Sequence, residues 1–500
     1  MACSCDSTNS RIIVWGLNFR GGEAYEGGVS KSRLWRLKVM EFDDGLVMTV
    51  AEGLLAEFER APVKWRGTLF VWDKGRWKKR DDQWLHDWIM VKLAGATYKV
   101  YDRKGNASEL PIDVTRGKVA DVAAGLKALV GVEGAATPLW LGQGPPPLPI
   151  ETSVCLEDVV VPLAGGEPVE RTDIWFDPVV VPVTWGAVQE ASGCPVFERC
   201  LEQWGKGCPV WREVVLRSLA YGLIGSRRYA KAILYYGTGR GGKGTLDKLE
   251  KLMMGGAGRY CTRLEEVVHP HGLQGMELAR VVVVQEFTNV GGNQVGRTFR
   301  SVMKSLLGED EIAVNPKGKP IFSCRVQAVP KILSNELPKI EDQYGSFWGK
   351  VVLVPFMESF LGREDIELID KLEKEIPAIV GLVLDAGKRL VAERGKFPTI
   401  PEAEKYLQAA KAEANPIEMF LQLRCEEDGG SRVGRGTLKR AYDELRVVRP
   451  WLKLPTMTDT KFTQAIMSSG WRVDQYRYPV KEGNIRGFKG LKLVDMKEED

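Results

Sequence analysis

Between about 230 and 360, apolar residues come in short unbroken runs that end in polar residues: Ala232-Ile-Leu-Tyr-Tyr236, Val281-Val-Val-Val284, Lys331-Ile-Leu333 and Val351-Val-Leu-Val354. Strands covered on both faces lack the alternation of half-exposed ones, so these runs predict a buried parallel sheet. Pro330 stands at the start of the third run, where a strand tolerates it better than in its middle. Upstream, Val159 to Pro162 and Val179 to Val183 are predicted as short strands, followed by a helical region from about 194 to 225. Earlier still, basic and aromatic residues alternate from about 62 to 105, and Asp73-Lys-Gly has the composition of a hairpin turn, which predicts a small α+β module. Downstream, Asp365 to Ala392 and Pro401 to Ala414 are predicted as helices. The tail alternates helices (Leu438 to Leu445, Thr460 to Met467) with a strand-turn-strand (Trp471 to Tyr478, Gly487 to Leu493), an order that suits a winged helix.

Breakers divide the chain. Gly142-Gln-Gly-Pro-Pro-Pro-Leu-Pro149 is a linker and Asn415-Pro416 a second boundary. The expected organisation is an N-terminal α+β region over 1–141, a helical and β region over 150–229, a parallel-sheet core over 230–400 and a winged-helix domain over 415–495. The fold class is α/β, a parallel sheet with these additions.

Length and composition narrow the class. Five hundred residues with 44% hydrophobic content can bury several cores, about two to four domains. No apolar stretch reaches the ~18 residues of a membrane helix, and Met1-Ala-Cys-Ser-Cys-Asp has no basic start and no apolar run. A soluble, cytoplasmic protein with no membrane partner is expected. Nine cysteines form no dense framework. Cys194, Cys200 and Cys208 match no common zinc spacing and are read as small buried residues. The net charge of +4 names no partner, but from 416 to 492 there are 15 Lys/Arg against 9 Asp/Glu, a local pointer to nucleic acid.

The sharpest chemistry is Gly237-Thr-Gly-Arg-Gly-Gly-Lys-Gly-Thr245, between a predicted strand and a predicted helix. A phosphate-binding loop needs glycines so that backbone N–H groups can turn inward, and a lysine at a helix N-terminus for the outer phosphates. Gly237, Gly239, Gly241, Gly242, Lys243, Gly244 and Thr245 are therefore the candidate ATP-binding residues. Gly244 stands where Ser or Thr is usual, which leaves Thr245 as the hydroxyl for Mg2+. The same Gly-Lys-Gly-Thr ending occurs in nucleotide kinases. Glu286, just past Val281–Val284, is the candidate to polarise water and help hold Mg2+, and Gln285 stands where many such enzymes carry Asp.

Lys317-Gly-Lys319 is a tight turn that offers two cations to a polyanion, or else simply solvates a surface turn. Asn335 ends a predicted strand, where an amide can hydrogen-bond both phosphate and water. The ordered set of the loop, Lys304 to Asp310, Glu311 to Phe322 and Ser334-Asn-Glu-Leu-Pro-Lys-Ile340 resembles the superfamily 3 helicases, specifically the phage, plasmid and poxvirus-type primase-helicase ATPases. The resemblance covers about 150 to 495 and includes Cys194-Pro, Leu372 to Ile379 and Phe462 to Leu493. It implies that Gly308, Asp310, Lys317 and Lys319 belong to a DNA-lining hairpin and that Asn335 senses the γ-phosphate. It also implies a trans-acting cation before a strand that ends in Phe. Lys350 takes that place where the family has Arg, with Arg325 or Arg297 as alternatives.

What the resemblance implies is a P-loop AAA+-like ATPase core over 230–400 in a hexameric, ATP- and Mg2+-dependent helicase acting on single-stranded and forked DNA in the replication of a virus or mobile element, in the host cytoplasm if viral. No paired-aspartate primase site is found, and Asp43-Asp44 reads as a solvated turn, so a separate primase is a candidate partner. Two other functions stay open: an ATP-switched origin-binding initiator that does not unwind, and a P-loop nucleotide kinase. The N-terminal tryptophans Trp65, Trp72, Trp77, Trp84 and Trp88 either stack bases or fill a core.

Overall fold

The computed structural model describes residues 40–132, 137–225, 227–255, 258–267, 269–285, 294–308, 310–318, 321–338, 347–480 and 483–495. They form two compact units, one from the described part of Met1–Ile150 with Glu170–Val180, the other from Glu151–Val169 with Val181–Asp500.

In the first unit, strands Val63–Trp65, Thr68–Asp73 and Arg76–Arg80 form an antiparallel sheet. Asp73 pairs with Arg76, which leaves Lys74 and Gly75 as a two-residue turn with φ of 52° and 75°. Both positive values are what a type I′ hairpin requires. Helices Val47–Leu55, Asp82–Leu93 and Arg116–Leu129 pack Val50, Leu54, Leu85, Ile89, Val122 and Leu126 into one core. The segment from 170 to 180 completes the unit. Its Trp175 and Phe176 pair with Trp140 and Leu139, and the Phe176 ring lies 5.9, 5.2 and 5.4 Å from those of Trp65, Phe70 and Trp77. Trp65 and Trp77 are core residues, while Trp72, Trp84 and Trp88 are half-buried.

In the second unit, strands Ser153–Cys155 and Val159–Pro162 and the short helix Trp185–Glu190 come before α1 (Pro195–Gly205) and α2 (Pro209–Ile224). Cys194 at the start of α1 provides no side-chain cap. The Glu375 carboxylate instead accepts from the Val196 and Phe197 N–H groups, each at 2.9 Å. The expected strand from Val179 to Val183 is absent. Pro178 and Pro182 lack the N–H donors that a ladder needs, and the segment makes only single bonds such as Val181 N to the Cys155 oxygen.

The parallel sheet follows. Its strands are β1 (Ala232–Gly237), β2 (Arg259–Arg263), β3 (Val281–Gln285), β6 (Val329–Ser334) and β7 (Val351–Phe356), in spatial order β2-β3-β6-β1-β7. Helix α3 (Lys243–Met253) follows β1, and α4 (Gln294–Leu307) follows β3. A short antiparallel hairpin, β4 (Ile312–Val314) and β5 (Phe322–Cys324), precedes β6. The chain leaves β1 for the far edge, walks back to its neighbour β6, and then crosses to β7 on the other side. The C-terminal end of β1 is thus a topological switch point, where open α/β sheets bind ligands. Asp365 to Ala392 forms two helices rather than one, Leu368–Lys374 and α5 (Ile376–Ala392), with Pro377 in the first turn of the second.

After α6 (Pro401–Ala414), the tail runs α7 (Pro416–Arg424), β8 (Cys425–Gly434), α8 (Arg435–Val448), α9 (Asp459–Met467), β9 (Asp474–Val480) and β10 (Gly483–Leu493). Its sheet order is β8-β10-β9, so the last two strands form a wing hairpin beside α9. Phe420, Tyr442, Phe462 and Phe488 are at the centre of its core. Among the described residues, no helix is long and apolar enough to cross a membrane.

Candidate functional site

The turn from β1 into α3 runs over Thr238 to Gly242 and is held from behind by the chain that follows β7. Thr238 N donates to the Phe356 oxygen at 3.0 Å and Thr238 Oγ1 to the Glu358 oxygen at 2.9 Å. Gly237 and Gly242 have φ of 146° and 99°. A Cβ at Gly237 would overlap the Phe356 carbonyl and one at Gly242 the Trp204 ring, while at Gly241 it would lie 2.9 Å from the Glu358 oxygen. The three glycines let the loop lie flat on its support with its N–H groups at the start of a helix, where anions bind.

Lys243, in the first turn of α3, is 7% exposed. Its Nζ donates to the loop's own Gly237 and Thr238 oxygens at 2.8 and 2.7 Å. Burial holds its pKa down to about 8. The ammonium therefore lies inside the loop, dehydrated and bonded only to neutral carbonyls, a setting in which phosphate oxygens would be stronger partners. Gly244 is exposed and a Cβ there would meet nothing within 4 Å, so the usual hydroxyl is missing for no steric reason. Thr245 is half-buried one residue later.

The other four strands of the sheet run parallel to β1 and end on the same edge as the loop. Ser334 of β6 is in register with Tyr236 of β1, so exposed Asn335 comes level with Gly237. Gln285 ends β3 and donates from Nε2 to Asp247 Oδ2 at 3.4 Å. Asp247, on α3, is also paired with Arg259 of β2, whose Nη1 donates to the Asp247 backbone oxygen at 2.5 Å. Gln285 thus brings the Asp247 carboxylate, which the sequence does not single out, towards the loop's edge, while Arg259, the first residue of β2, reaches it from the opposite end of the sheet. Glu286, the next residue after Gln285, lies outside the described residues, as does Lys319.

Lys317 and Lys350 are placed elsewhere. Lys317 is exposed at the tip of the β4–β5 hairpin beside Gly318, whose φ is 72°. The hairpin is braced by a preceding loop: Lys317 N donates to the Gln274 side-chain oxygen at 3.1 Å, and His271 Nδ1 lies 2.8 Å from the Asn315 oxygen. Neither brace is visible in the sequence, because each joins residues more than 40 positions apart. Lys350 stands just before β7, at the edge of the sheet opposite the loop, and its Nζ donates to the Leu307 oxygen at 2.9 Å, the last carbonyl of α4. It thus caps α4 at the entry to the hairpin, and the structure does not bring it to the loop of its own chain. Arg325 is exposed just after β5, and the side chain of Arg297 lies outside the described ones.

Cys194 and Cys200 are buried, and burial pushes both thiols up to about 11. Among the described residues, no three His, Cys, Asp or Glu side chains gather as a metal centre would require.

No family model matches the chain. Among solved structures, the chain is similar to the A form apo structure of the NrS-1 C-terminal region, with a TM-score of 0.46 and 10% identity over 88% of this chain and 98% of that one. A further apo structure of the NrS-1 C-terminal region is matched with a TM-score of 0.46 and 10% identity, covering 89% of this chain and 99% of that chain.

Proposed function

We propose that the chain is an ATP hydrolase acting on DNA, a ring-forming replicative helicase of a virus or mobile element that uses Mg2+. The observation that carries this reading is the double use of β6. At its C-terminal end Asn335 comes level with the phosphate-type loop, and at its N-terminal end is the hairpin with Lys317. A shift at one end of a stiff strand reaches the other, as a motor needs.

The loop fits a polyphosphate: Gly237, Gly241 and Gly242 lie where a Cβ would collide, and a buried ammonium meets only carbonyl oxygens. For Mg2+ the fit rests on Thr245 and Glu286, since Gly244 offers no hydroxyl and Gln285 no charge. Bound Mg·ATP would supply the anhydride to be cleaved and the cation that offsets its charge. Lys243 would exchange its two carbonyl partners for phosphate oxygens, the N–H groups of the loop and of the start of α3 would hold the phosphates, and the Asn335 amide would orient water. Lys317 and Lys319 would contact the strand in the pore of a hexamer. Lys350, at the opposite edge from its own loop, could serve only a neighbour's site, with Arg325 or Arg297 as alternatives. Single-stranded and forked DNA are the substrates in this reading, a separate primase is a candidate partner, and the host cytoplasm is the place of action.

A second reading, the ATP-switched initiator that does not unwind, is favoured by Gln285 and by the engagement of Lys350 with α4. DNA-stimulated ATPase and displacement of a forked strand separate the two. Wild type should do both, Lys243→Ala neither, and Lys317→Ala with Lys319→Ala should lose displacement. Near-normal hydrolysis by Lys243→Ala sinks the site, hydrolysis without displacement by the wild type selects the initiator, and a strict monomer with ATP and forked DNA rules out the ring.

A further inference from the structure

Helix α3 turns a line of charged residues towards the sheet. Lys243, Asp247 and Glu250 stand at i, i+4 and i+7, so they share one side of the helix. Each finds its partner at a different height. Glu250 meets Lys331 of β6, which is in register with Val283 of β3. Gln285, two residues further along β3, points to the same face and is nearer the loop. It meets Asp247, which is correspondingly nearer the start of α3. One helical turn above Asp247, about 5.4 Å along the axis, Lys243 reaches into the loop. The contact between Gln285 and Asp247 is thus the first one below the phosphate-type loop on this face of the helix.

The amide of Gln285 has two unlike ends, and Asp247 decides which way they face. A carboxylate accepts hydrogen bonds and donates none. The amide must therefore turn its NH2 group to Asp247, with Nε2 3.4 Å from Oδ2. Its oxygen branches from the same carbon and is turned away from that carboxylate. Among the described residues no donor meets Oε1. Asp247 is itself held in place: its side chain is 14% exposed, and Arg259, 7% exposed, grips both its carboxylate and its backbone oxygen. The outcome is a half-buried acceptor without charge, fixed in direction, at the end of a strand that stops on the loop's edge.

We propose that Gln285 Oε1 accepts hydrogen bonds from the water shell of nucleotide-bound Mg2+, and that Asp247 is the positioning residue that keeps the amide turned this way. Mg2+ in such sites keeps several of its waters, which present only O–H donors outwards. An amide turned the other way would face them with N–H groups and repel them. The inference rests on the reading of the loop as a Mg·nucleotide site and adds how a neutral residue serves where a carboxylate is usual. The test uses the full chain and a fluorescent ATP analogue, first in EDTA and then with MgCl2 titrated in, so that binding and not turnover is read. Gln285→Leu leaves the Asp247–Arg259 pair in place. It should bind the analogue in EDTA as the wild type does, yet need about 10–100 times more Mg2+ to reach half of the metal-dependent gain, the usual effect of losing an outer-shell partner. Asp247→Asn, whose own amide accepts either orientation of Gln285, should raise the requirement by less. Arg259→Met breaks the same ion pair, so it should lower the denaturant midpoint while leaving the Mg2+ requirement unchanged. An unmoved requirement in Gln285→Leu overturns the proposal, and an equal rise in Arg259→Met overturns the positioning role of Asp247. Failure of the loop reading would look different: the wild type would bind the analogue no better than Lys243→Ala, with or without Mg2+.

Discussion

Lys243 limits what the site can do through its proton. Burial lowers its pKa from 10.5 to about 8, so the unfolded chain binds the proton more tightly, and folding gains stability as pH rises from about 8 towards 10.5. A bound polyphosphate favours the charged form and raises the pKa again. Nucleotide binding above about pH 8 must therefore take up a proton, and affinity should be flat below that pH and then fall by up to about tenfold per unit. Titrating a fluorescent nucleotide across that range checks this; an affinity that stays constant through pH 10 would mean that the ammonium does not meet the phosphates. Much of this site was legible because glycines at positive φ and a lysine at a helix start are local requirements. The Trp204 ring under Gly242 and the Gln285–Asp247 bond were not, because each depends on residues brought together by the sheet.

A buried ion pair ties a strand to a helix at the centre of the sheet. Lys331 of β6 and Glu250 of α3 are 1% and 2% exposed and in direct contact, and Lys331 Nζ also donates to the Ser218 oxygen of α2 at 2.9 Å. The helix that starts in the phosphate-type loop is thus fixed to the strand that carries Asn335. Removing one partner leaves the other charge buried alone, so Glu250→Gln should cost about 3–5 kcal/mol, while Glu250→Leu with Lys331→Met should come close to wild type or exceed it. Denaturant unfolding of both variants decides it, and equal losses would mean that the charges contribute little beyond shape. At this scale the sequence spoke clearly where both faces of a strand are covered, as in Val281 to Val284. It misled at Val179 to Val183, where Pro178 and Pro182 remove donors from an otherwise apolar run. It was silent on β8, whose Glu426, Glu427, Asp428, Gly429 and Gly430 are exposed on an edge strand held by pairing to β10 alone.

Across the whole molecule, the chain passes between its two units three times, because Glu170–Val180 belongs to the first unit while its flanks belong to the second. The linker from 142 to 149 looks like the boundary in sequence, yet it is only one of these passages. What holds the inserted segment can be named: Trp175 and Phe176 are 1% and 0% exposed, Trp77 Nε1 donates to the Trp175 oxygen at 3.0 Å, and Arg171 Nη2 donates to the Gly75 oxygen at 2.6 Å. Burying each of the two rings removes about 150–250 Å² from water, worth roughly 4–6 kcal/mol apiece at ~25 cal/mol per Å². That sum is comparable to the freedom two separated pieces would regain, estimated at about 4–15 kcal/mol, and the polar bonds add to it. A site-specific protease sequence inserted at exposed Gly144 should therefore allow complete cleavage on a denaturing gel while both fragments still elute together in native buffer. Phe176→Ala, which removes about 3–5 kcal/mol of that hold, should let the N-terminal fragment separate after the same cut. If the unmutated fragments part as soon as the linker is cleaved, residues 170 to 180 do not anchor the first unit, and the linker alone joins it to the rest.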